Sequence, residues 1–218
     1  MTVVDCRRCP RLVAWREEVG RTRRAAFATE QYWARPVPSM GDPQARIVVL
    51  GLAPAAHGAN RTGRMFCGDR SGDFLFEALH RTGLSAQPRN RERSTPVQLR
   101  STWITAPVRC APPDNKPLPQ ERDRCLPWTA HELAAMEDVR VVVCLGAYAW
   151  DAALRLRTVL GHTPPRPRPR FAHGAEAPLE PWPLLGTYHP SQHNTFTGRL
   201  TPAMLDAVLL RARELAGV

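Results

Sequence analysis

Short apolar runs alternate along the chain with longer segments in which apolar residues recur every three or four positions. Short runs rich in β-branched residues predict buried strands, and the longer spacing predicts amphipathic helices. Strands are expected at 47–52, 102–110, 139–146 and 182–191. Helices are expected at 6–19 (opening at Pro10), near 72–83, and at 119–136, 147–160 and 201–217. The alternation predicts a parallel sheet covered on both faces, a three-layer α/β/α sandwich.

Three of these strands lead into loops with distinctive sequences: "GLAPAAHG" (51–58), "APVRCAPPDNK" (106–116) and "YHPSQHNT" (188–195). Ligands in α/β sheets bind at the carboxyl ends of the strands, so the three loops are expected to converge on one site. The first loop lacks both the Gly-Lys-Ser/Thr of a phosphate-binding P-loop and the spacing of a dinucleotide fingerprint. Its small residues therefore indicate a close approach to some other group.

The charge balance narrows the class of partner. The 218 residues include 30 Lys and Arg against 20 Asp and Glu, a formal net charge of +10, and Lys116 is the only lysine. Such an excess favours a polyanionic partner, most simply nucleic acid. The sequence shows no secretory signal, and its longest apolar run, 141–150, is too short to cross a bilayer. We expect one domain, 1–218, in a cytoplasmic monomer that does not bind membranes.

Six cysteines in a cytoplasmic protein favour metal ligands or buried thiols over disulfides. Cys144 lies inside the most apolar predicted strand, where packing explains it. The remaining candidates for a four-thiolate site are Cys6, Cys9, Cys110 and Cys125, with Cys67 as a possible fifth ligand. Four thiolates suit either zinc or an iron–sulfur cluster, and spacing alone leaves open four unrelated buried thiols as well.

Several segments in a fixed order resemble the uracil-DNA glycosylase superfamily, in particular its iron–sulfur family 5. They are "CRRCPRL", "YWARPVP", "GLAPAAHGANRTGRMFCGDRSG", "TAPVRCAPPDNKP" and "YHPSQHNTFTGRLT", which together span nearly the whole chain. The resemblance implies a central four-stranded parallel sheet. It also implies a [4Fe-4S] cluster held by Cys6, Cys9, Cys110 and Cys125.

The same resemblance implies a base-excision-repair enzyme that flips a damaged base out of DNA and hydrolyses its N-glycosidic bond. It assigns Asp69 the role of holding or activating the attacking water and of stabilising the positive charge that develops on the sugar. His189 would donate a hydrogen bond to the departing base, Phe66 would stack on that base, and Asn115 would contact base or water. From the residues alone, Asp69 could instead cap the helix near 72, Phe66 could belong to the core, and Asn115 could serve only its turn.

The loop 51–58 would line the pocket for the flipped base, with Gly51, Leu52, Ala53 and His57 as binding residues. The sister family 4 carries an asparagine at the position of Ala106, which reads the pairing edge of uracil. A methyl group cannot make that contact. We therefore predict relaxed specificity, with uracil, hypoxanthine and xanthine accepted.

Further residues are expected to contact DNA or to position the loops that do. Asn194 would position its own loop or contact DNA, and Gln192 or His193 would occupy the wedge position that relatives often give to leucine. The basic residues expected to contact phosphates are Arg7, Arg8, Arg11, Arg109 and the arm 166–170.

Two other interpretations remain at this point. A non-catalytic iron–sulfur or zinc module that binds nucleic acid would explain the charge and the thiolates, but not the convergence of the three loops. A relative that stays covalently attached to the abasic sugar would need a basic, histidine-containing insert, and no such insert is obvious here.

Overall fold

The structure is a computed structural model that describes residues 2–218. Its sheet has six strands in the order β1-β3-β2-β4-β6-β5. They are β1 (Met40–Gly41), β2 (Ile47–Leu50), β3 (Thr102–Thr105), β4 (Val141–Leu145), β5 (Glu176–Ala177) and β6 (Leu184–Thr187). The helices are α1 (Pro10–Thr22), α2 (Ala59–Thr62), α3 (Arg70–Arg81), α4 (Pro119–Ala134), α5 (Ala147–Val159), α6 (Gln192–Phe196) and α7 (Pro202–Ala216).

The expected four-stranded parallel sheet is only part of the observed one. The four inner strands, β3, β2, β4 and β6, are parallel to one another. Each edge carries one two-residue antiparallel strand, β1 on β3 and β5 on β6, so the complete sheet is mixed. Two residues offer too short a pattern for periodicity to show, which is why the sequence did not predict the edge strands.

The strands bury both of their faces, as a sheet covered on two sides requires. Alternate residues of β2 and β4 point to opposite sides: Ile47 and Val49 pack in the core beneath α3 and α7, whereas Val48 and Leu50 pack beneath α4 and α5. The layers are therefore helix, sheet and helix, which confirms the α/β sandwich.

The long strands are shorter than the apolar pattern predicted. The strand expected over 47–52 ends at Leu50, and that expected over 102–110 ends at Thr105. Residues such as Ala106 and Val108 are apolar because they are buried in loops, not because they belong to the ladder. The helix expected over 6–19 begins at Pro10 and continues to Thr22. No helix among residues 2–218 has the length and apolar character that a bilayer crossing would need.

Candidate active site and cysteine pocket

Loops that follow β2, β3 and β6 enclose a cavity of about 910 Å³, which we call the catalytic cavity. Nine residues expected from the sequence line it: Gly51, Leu52, Ala53, His57, Phe66, Asp69, Ala106, Asn115 and His189. Gln192 and His193 of α6 line it as well. The carboxyl ends of the parallel strands thus bring together residues from three distant parts of the chain, as the topology predicted.

The glycines of the first loop make room for two predicted site residues. A Cβ atom on Gly51 would lie 3.0 Å from Cζ of Phe66, and one on Gly58 would lie 2.1 Å from Oδ2 of Asp69. Any side chain at Gly58 would therefore collide with the carboxylate. The loop is small because it packs against the aromatic ring and the acid of the same cavity.

Asp69 has two roles in the structure. It is the N-cap residue of α3, where its Oδ1 accepts a hydrogen bond of 2.8 Å from the backbone N–H of Gly72. Its carboxyl group also lines the cavity. Burial raises the pKa of Asp69, and the nearby charge of Asp73 adds to the rise, while the hydrogen bond from Gly72 and the charge of Arg61 oppose it. The cap and the cavity position are thus compatible.

Phe66 is held in a left-handed backbone conformation with φ of 49°, which is rare for a bulky residue. The buried side chain of Asn90 supports it by donating hydrogen bonds to the carbonyl oxygens of Met65 (2.9 Å) and Phe66 (3.2 Å). The Phe66 ring is half-buried and lies 6.3 Å from the His189 ring, centroid to centroid, at an interplanar angle of 32°. Phe66 is therefore a cavity residue that also packs on the core.

His189 follows β6 and has its side chain in the same cavity. Burial lowers its pKa to about 4, so the imidazole is neutral at physiological pH. Asn194 does not line the cavity; its side-chain amide donates to the backbone carbonyl of His189 at 2.9 Å. Of the two roles expected for Asn194, the geometry supports positioning of the loop.

The buried methyl group of Ala106 occupies the position after β3 that the sequence predicted to face the base. Its carbonyl accepts hydrogen bonds from Nε of Arg109 (2.9 Å) and Oγ1 of Thr129 (3.2 Å). Arg109 is fully buried and pairs with Glu132 at 2.6 Å. The prediction that Arg109 contacts DNA phosphates is therefore wrong, because the side chain is committed to the loop after β3.

Asn115 is exposed and lines the rim of the cavity. It ends a short 3₁₀ helix (Pro113–Asn115) in which Asp114 and Asn115 both have positive φ, 52° and 54°. The turn interpretation of Asn115 and its place at the cavity are both compatible with this geometry.

The four predicted ligand cysteines line a second, smaller space, which we call the cysteine pocket: Cys6, Cys9, Cys110 and Cys125. The buried guanidinium of Arg16 donates to Sγ of Cys110 at 2.8 Å, and the backbone N–H of Arg109 donates to Sγ of Cys125 at 3.3 Å. Burial raises the pKa of Cys110 to about 11 and that of Cys125 to about 12. These sulfurs therefore remain thiols unless a metal displaces their protons.

Polar atoms beside the pocket fit an anionic thiolate-bound group. Nε of Arg16 and Nη1 of Arg109 are buried and lack a hydrogen-bond partner within residues 2–218. Unpaired buried N–H donors are costly, and thiolates or cluster sulfides would accept from them. No three His, Cys, Asp or Glu side chains in the described chain are grouped as a site for a metal ion.

The other two cysteines lie outside this pocket. Cys144 is fully buried in β4, as the packing interpretation predicted, and Cys67 is fully buried in the loop before Asp69. Neither lines the cysteine pocket, so the geometry does not support Cys67 as a fifth ligand.

Sequence reasoning missed several residues of both sites. Tyr32 is buried, and its hydroxyl lies 3.0 Å from Nδ1 of His57, a contact that orients the imidazole. A sequence signal for Arg16 did exist: it lies on the apolar face of α1 with Leu12, Val13 and Val19, where a charged residue is unexpected. No comparable sequence signal marks Arg61, because the helix α2 that contains it has only four residues.

Most of the arginines expected to contact phosphates already have partners. Arg7 pairs with Glu17, and Arg11 pairs with Glu121 at 2.7 Å. In the arm 166–170, Arg168 pairs with Asp151 at 2.7 Å. By contrast Arg24 and Arg70, which the sequence did not single out, line the catalytic cavity, and neither forms an ion pair within residues 2–218.

Comparison with known proteins agrees with this geometry. The model of the Uracil DNA glycosylase superfamily matches residues 38–213. A type-5 uracil-DNA glycosylase from Mycobacterium tuberculosis is 54% identical over 215 residues, which cover 98% of this chain and 79% of the relative. Another from Thermus thermophilus is 51% identical over 219 residues, covering 100% of this chain and 96% of the relative. A type-4 uracil-DNA glycosylase from Archaeoglobus fulgidus is 32% identical over 114 residues, covering 52% of this chain and 49% of the relative.

The match to the superfamily includes all three loops of the catalytic cavity. The type-5 relatives extend the similarity over nearly the whole chain. The chain therefore belongs to the uracil-DNA glycosylase superfamily and, within it, to the type-5 uracil-DNA glycosylases.

Proposed function

We propose that this protein removes uracil from DNA during base excision repair, by hydrolysing the N-glycosidic bond and leaving an abasic site. The observation that carries the proposal is that Asp69, Phe66 and His189 line one cavity large enough for a flipped nucleotide. Phe66 and Asp69 come from the segment between α2 and α3, whereas His189 comes from the loop after β6. The family to which the chain belongs is an enzyme family acting on such bonds.

In this mechanism the extruded base enters the catalytic cavity and lies against the Phe66 ring, which recognises its aromatic face. The carboxylate of Asp69 faces the sugar, where it stabilises the positive charge of the transition state and orients the attacking water. The neutral His189 donates a hydrogen bond to the base oxygen on which negative charge accumulates. A preorganised donor of this kind is worth roughly 10²–10³ in rate.

The residues that line the catalytic cavity support the excision of more than one kind of base. Ala106 offers only a methyl group and a carbonyl that Arg109 and Thr129 already occupy. Without a side-chain amide at this position, nothing there distinguishes the pairing edge of uracil from that of another deaminated base. We therefore propose that hypoxanthine and xanthine are excised as well.

The rim of the catalytic cavity supports DNA as the partner. Arg24 and Arg70 supply cationic groups without an acidic partner. The guanidinium of Arg70 lies 5.1 Å from the ring centroid of Phe196, which is 67% exposed at the end of α6. An exposed aromatic beside unpaired arginines suits stacking on a nucleotide next to the target. Gln192 and His193 remain the predicted wedge residues.

The cysteine pocket supports a resident [4Fe-4S] cluster with Cys6, Cys9, Cys110 and Cys125 as ligands. Such a cluster contributes a cross-link between the N-terminal segment and α4, together with the chemistry of iron–thiolate bonds. Arg16 and the backbone of Arg109 would donate hydrogen bonds to its sulfur atoms. That the protein is a single-domain monomer in the cytoplasm is still a prediction from the sequence.

The proposal is tested by incubating the protein with a duplex that contains one uracil and then treating it with alkali. Strand cleavage that requires Asp69 and His189 supports the enzyme. Binding to the duplex without cleavage would favour the non-catalytic nucleic-acid module. A panel of uracil, hypoxanthine and xanthine duplexes, with wild type and Ala106→Asn compared, tests the breadth of specificity. If the variant does not narrow the preference toward uracil, the proposed role of Ala106 is wrong.

A further inference from the structure

Arg61 is a buried arginine that contacts both ends of the loop leading to Asp69. It lies in the last turn of α2 and is 9% exposed. Its Nε donates to the carbonyl of His57 at 2.8 Å, and its Nη2 donates to the carbonyl of Gly68 at 3.1 Å. One guanidinium group thus joins the start of the segment 57–68 to its end, immediately before the proposed catalytic acid.

The packing around this group leaves it little freedom. The guanidinium lies 3.9 Å from the ring centroid of Phe27, and its Nη1 pairs with the carboxylate of Glu30. Gly68 has φ of +76°, and a Cβ atom there would lie 2.3 Å from Nη2 of Arg61. A planar guanidinium can hold two carbonyls, a carboxylate and an aromatic face at once, which lysine cannot.

The same group acts on Asp69 electrostatically. Burial is the main cause that raises the pKa of Asp69, and the charge of Asp73 adds to the rise. Hydrogen bonds from the backbone of Gly72 and Ser71 lower this pKa, and the charge of Arg61 lowers it further by a smaller amount. The imidazoles of His57 and His189 line the same cavity, and burial lowers the pKa of both, which favours their neutral forms. On the rim, the exposed Arg70 lies in water, where charge is screened more strongly.

We propose that Arg61 is a positioning residue for Asp69: its guanidinium fixes the backbone on which the carboxylate is mounted and supplies the buried positive charge beside it. The proposal rests on the proposed excision activity, since it concerns the geometry of that reaction. Glu30 is the counter-charge of Arg61, and its side chain is 44% exposed. Because Glu30 neutralises part of the Arg61 charge, its removal is expected to strengthen the effect of Arg61 on the acid.

The experiment measures single-turnover uracil excision from a duplex against pH for wild type, Arg61→Gln, Arg61→Lys and Glu30→Gln. Arg213→Gln is the matched control, because Arg213 also holds two backbone carbonyls, those of Thr82 and Val218, on the far helix α7. Duplex affinity and thermal unfolding are measured for each protein.

Arg61→Gln is expected to lower the excision rate on the order of tenfold or more, with duplex affinity little changed, because the acid is misplaced. The acid limb of its pH–rate profile, which is the fall in excision rate toward low pH, moves to higher pH because the pKa of Asp69 rises without the cation. Glu30→Gln moves the acid limb to lower pH, since Arg61 then acts without a counter-charge. Arg61→Lys keeps the acid limb near that of wild type but recovers only part of the rate. Arg213→Gln changes neither.

Two outcomes overturn the proposal. One is a folded Arg61→Gln protein with the rate and acid limb of wild type. The other is an acid limb that moves in the same direction in Arg61→Gln and Glu30→Gln, which would indicate a general loss of structure. If Arg61→Gln fails to fold, the direction of the Glu30→Gln shift still decides. A wild-type protein that does not excise uracil would instead overturn the proposed function.

Discussion

The catalytic cavity and the cysteine pocket both bury groups that can ionise, but they treat those groups differently. In the cavity, the ring of His189 makes no hydrogen bond to any residue in 2–218, and its pKa is lowered to about 4. In the cysteine pocket, Arg16 and the backbone of Arg109 direct N–H groups at the sulfurs. A site for a passing substrate leaves its donors free, whereas a site for a resident group surrounds that group with donors in advance.

The two regions also differ in how the chain assembles them. The cavity forms wherever the parallel strands align, because its loops follow directly from β2, β3 and β6. The cysteine pocket requires α1 to dock on the segment around α4: Arg16 bonds a cysteine 94 positions away, and Arg11 pairs with Glu121. The pocket is thus expected to govern stability and the cavity to govern rate.

The largest effect is expected in the cysteine pocket. We expect Cys110→Ala to lose bound iron and its visible absorption, and to lower the melting temperature by at least about 10 °C, because metal binding is coupled to folding. Cys144→Ala is the control, since Cys144 is fully buried in β4 outside the pocket. If Cys110→Ala retains its iron, or both variants lose it equally, the pocket is not the cluster site.

In the catalytic cavity we expect a substitution to lower the reaction rate and to leave stability almost unchanged. Asp69→Asn keeps an oxygen to cap α3 but loses the charge, so stability should stay close to that of wild type. The single-turnover rate of uracil excision should fall by roughly 10²–10⁴-fold, the usual contribution of such a group. A melting temperature that falls with the rate, or a rate that does not change, would contradict the separation of the two regions.

The lowered pKa of the His189 imidazole predicts that the stability of the protein depends on pH. The pKa of His189 is about 4 in the folded protein and near 6.5 in an unfolded chain, so the unfolded state binds more protons between these values. The contribution of His189 to stability is therefore complete above about pH 6.5 and decreases as the pH falls toward 4. Its size is on the order of 2 kcal/mol, allowing for solvent at a half-buried ring.

Denaturant unfolding of wild type and His189→Asn across this pH range measures that contribution. The free energy of unfolding should fall less steeply with acid in the variant. Asp69 is present in both proteins, so its opposite dependence cancels in the difference. Parallel curves would show that the ring of His189 is not desolvated.

A smaller effect is expected at the rim of the cavity. Phe196→Ala should weaken binding to a duplex containing an abasic-site analogue by about tenfold, the lower part of the range for base–aromatic stacking. Leu210→Ala on α7 is the control, because Leu210 is also an exposed apolar residue, at 47%. Equal affinities for the two variants would remove Phe196 from the DNA interface.

The unpaired arginine on the same rim provides a matched test of phosphate contact. Arg70→Ala should reduce the salt dependence of duplex binding by about one phosphate contact. Arg211→Ala should not, since Arg211 is already paired with Glu176 and Glu214. Equal salt dependences for the two variants would contradict a contact between Arg70 and phosphate.

Much of the fold followed from local pattern, and its limits have a physical cause. The inner strands were predicted because they are short runs rich in apolar and β-branched residues, and the long helices because each has enough residues to display a period of 3.6. The edge strands β1 and β5 and the helix α2 were missed because they have two to four residues and contain no apolar run. Arg109 was assigned to the surface because it is charged, yet it is fully buried and bound by Glu132 and the carbonyl of Ala106.

The order of residues along the chain was enough to determine the α/β class, the end of the sheet where the site forms, and the residue types available there. Parallel strands place the loops at their carboxyl ends on one edge of the sheet, whatever the detailed shape of those loops. Tertiary structure alone decided which arginines are free, that Asp69 both caps α3 and lines the cavity, and that Arg61 joins the two ends of its loop. These features depend on contacts between residues far apart in sequence, and side-chain pairing across such distances leaves no periodic trace in the sequence.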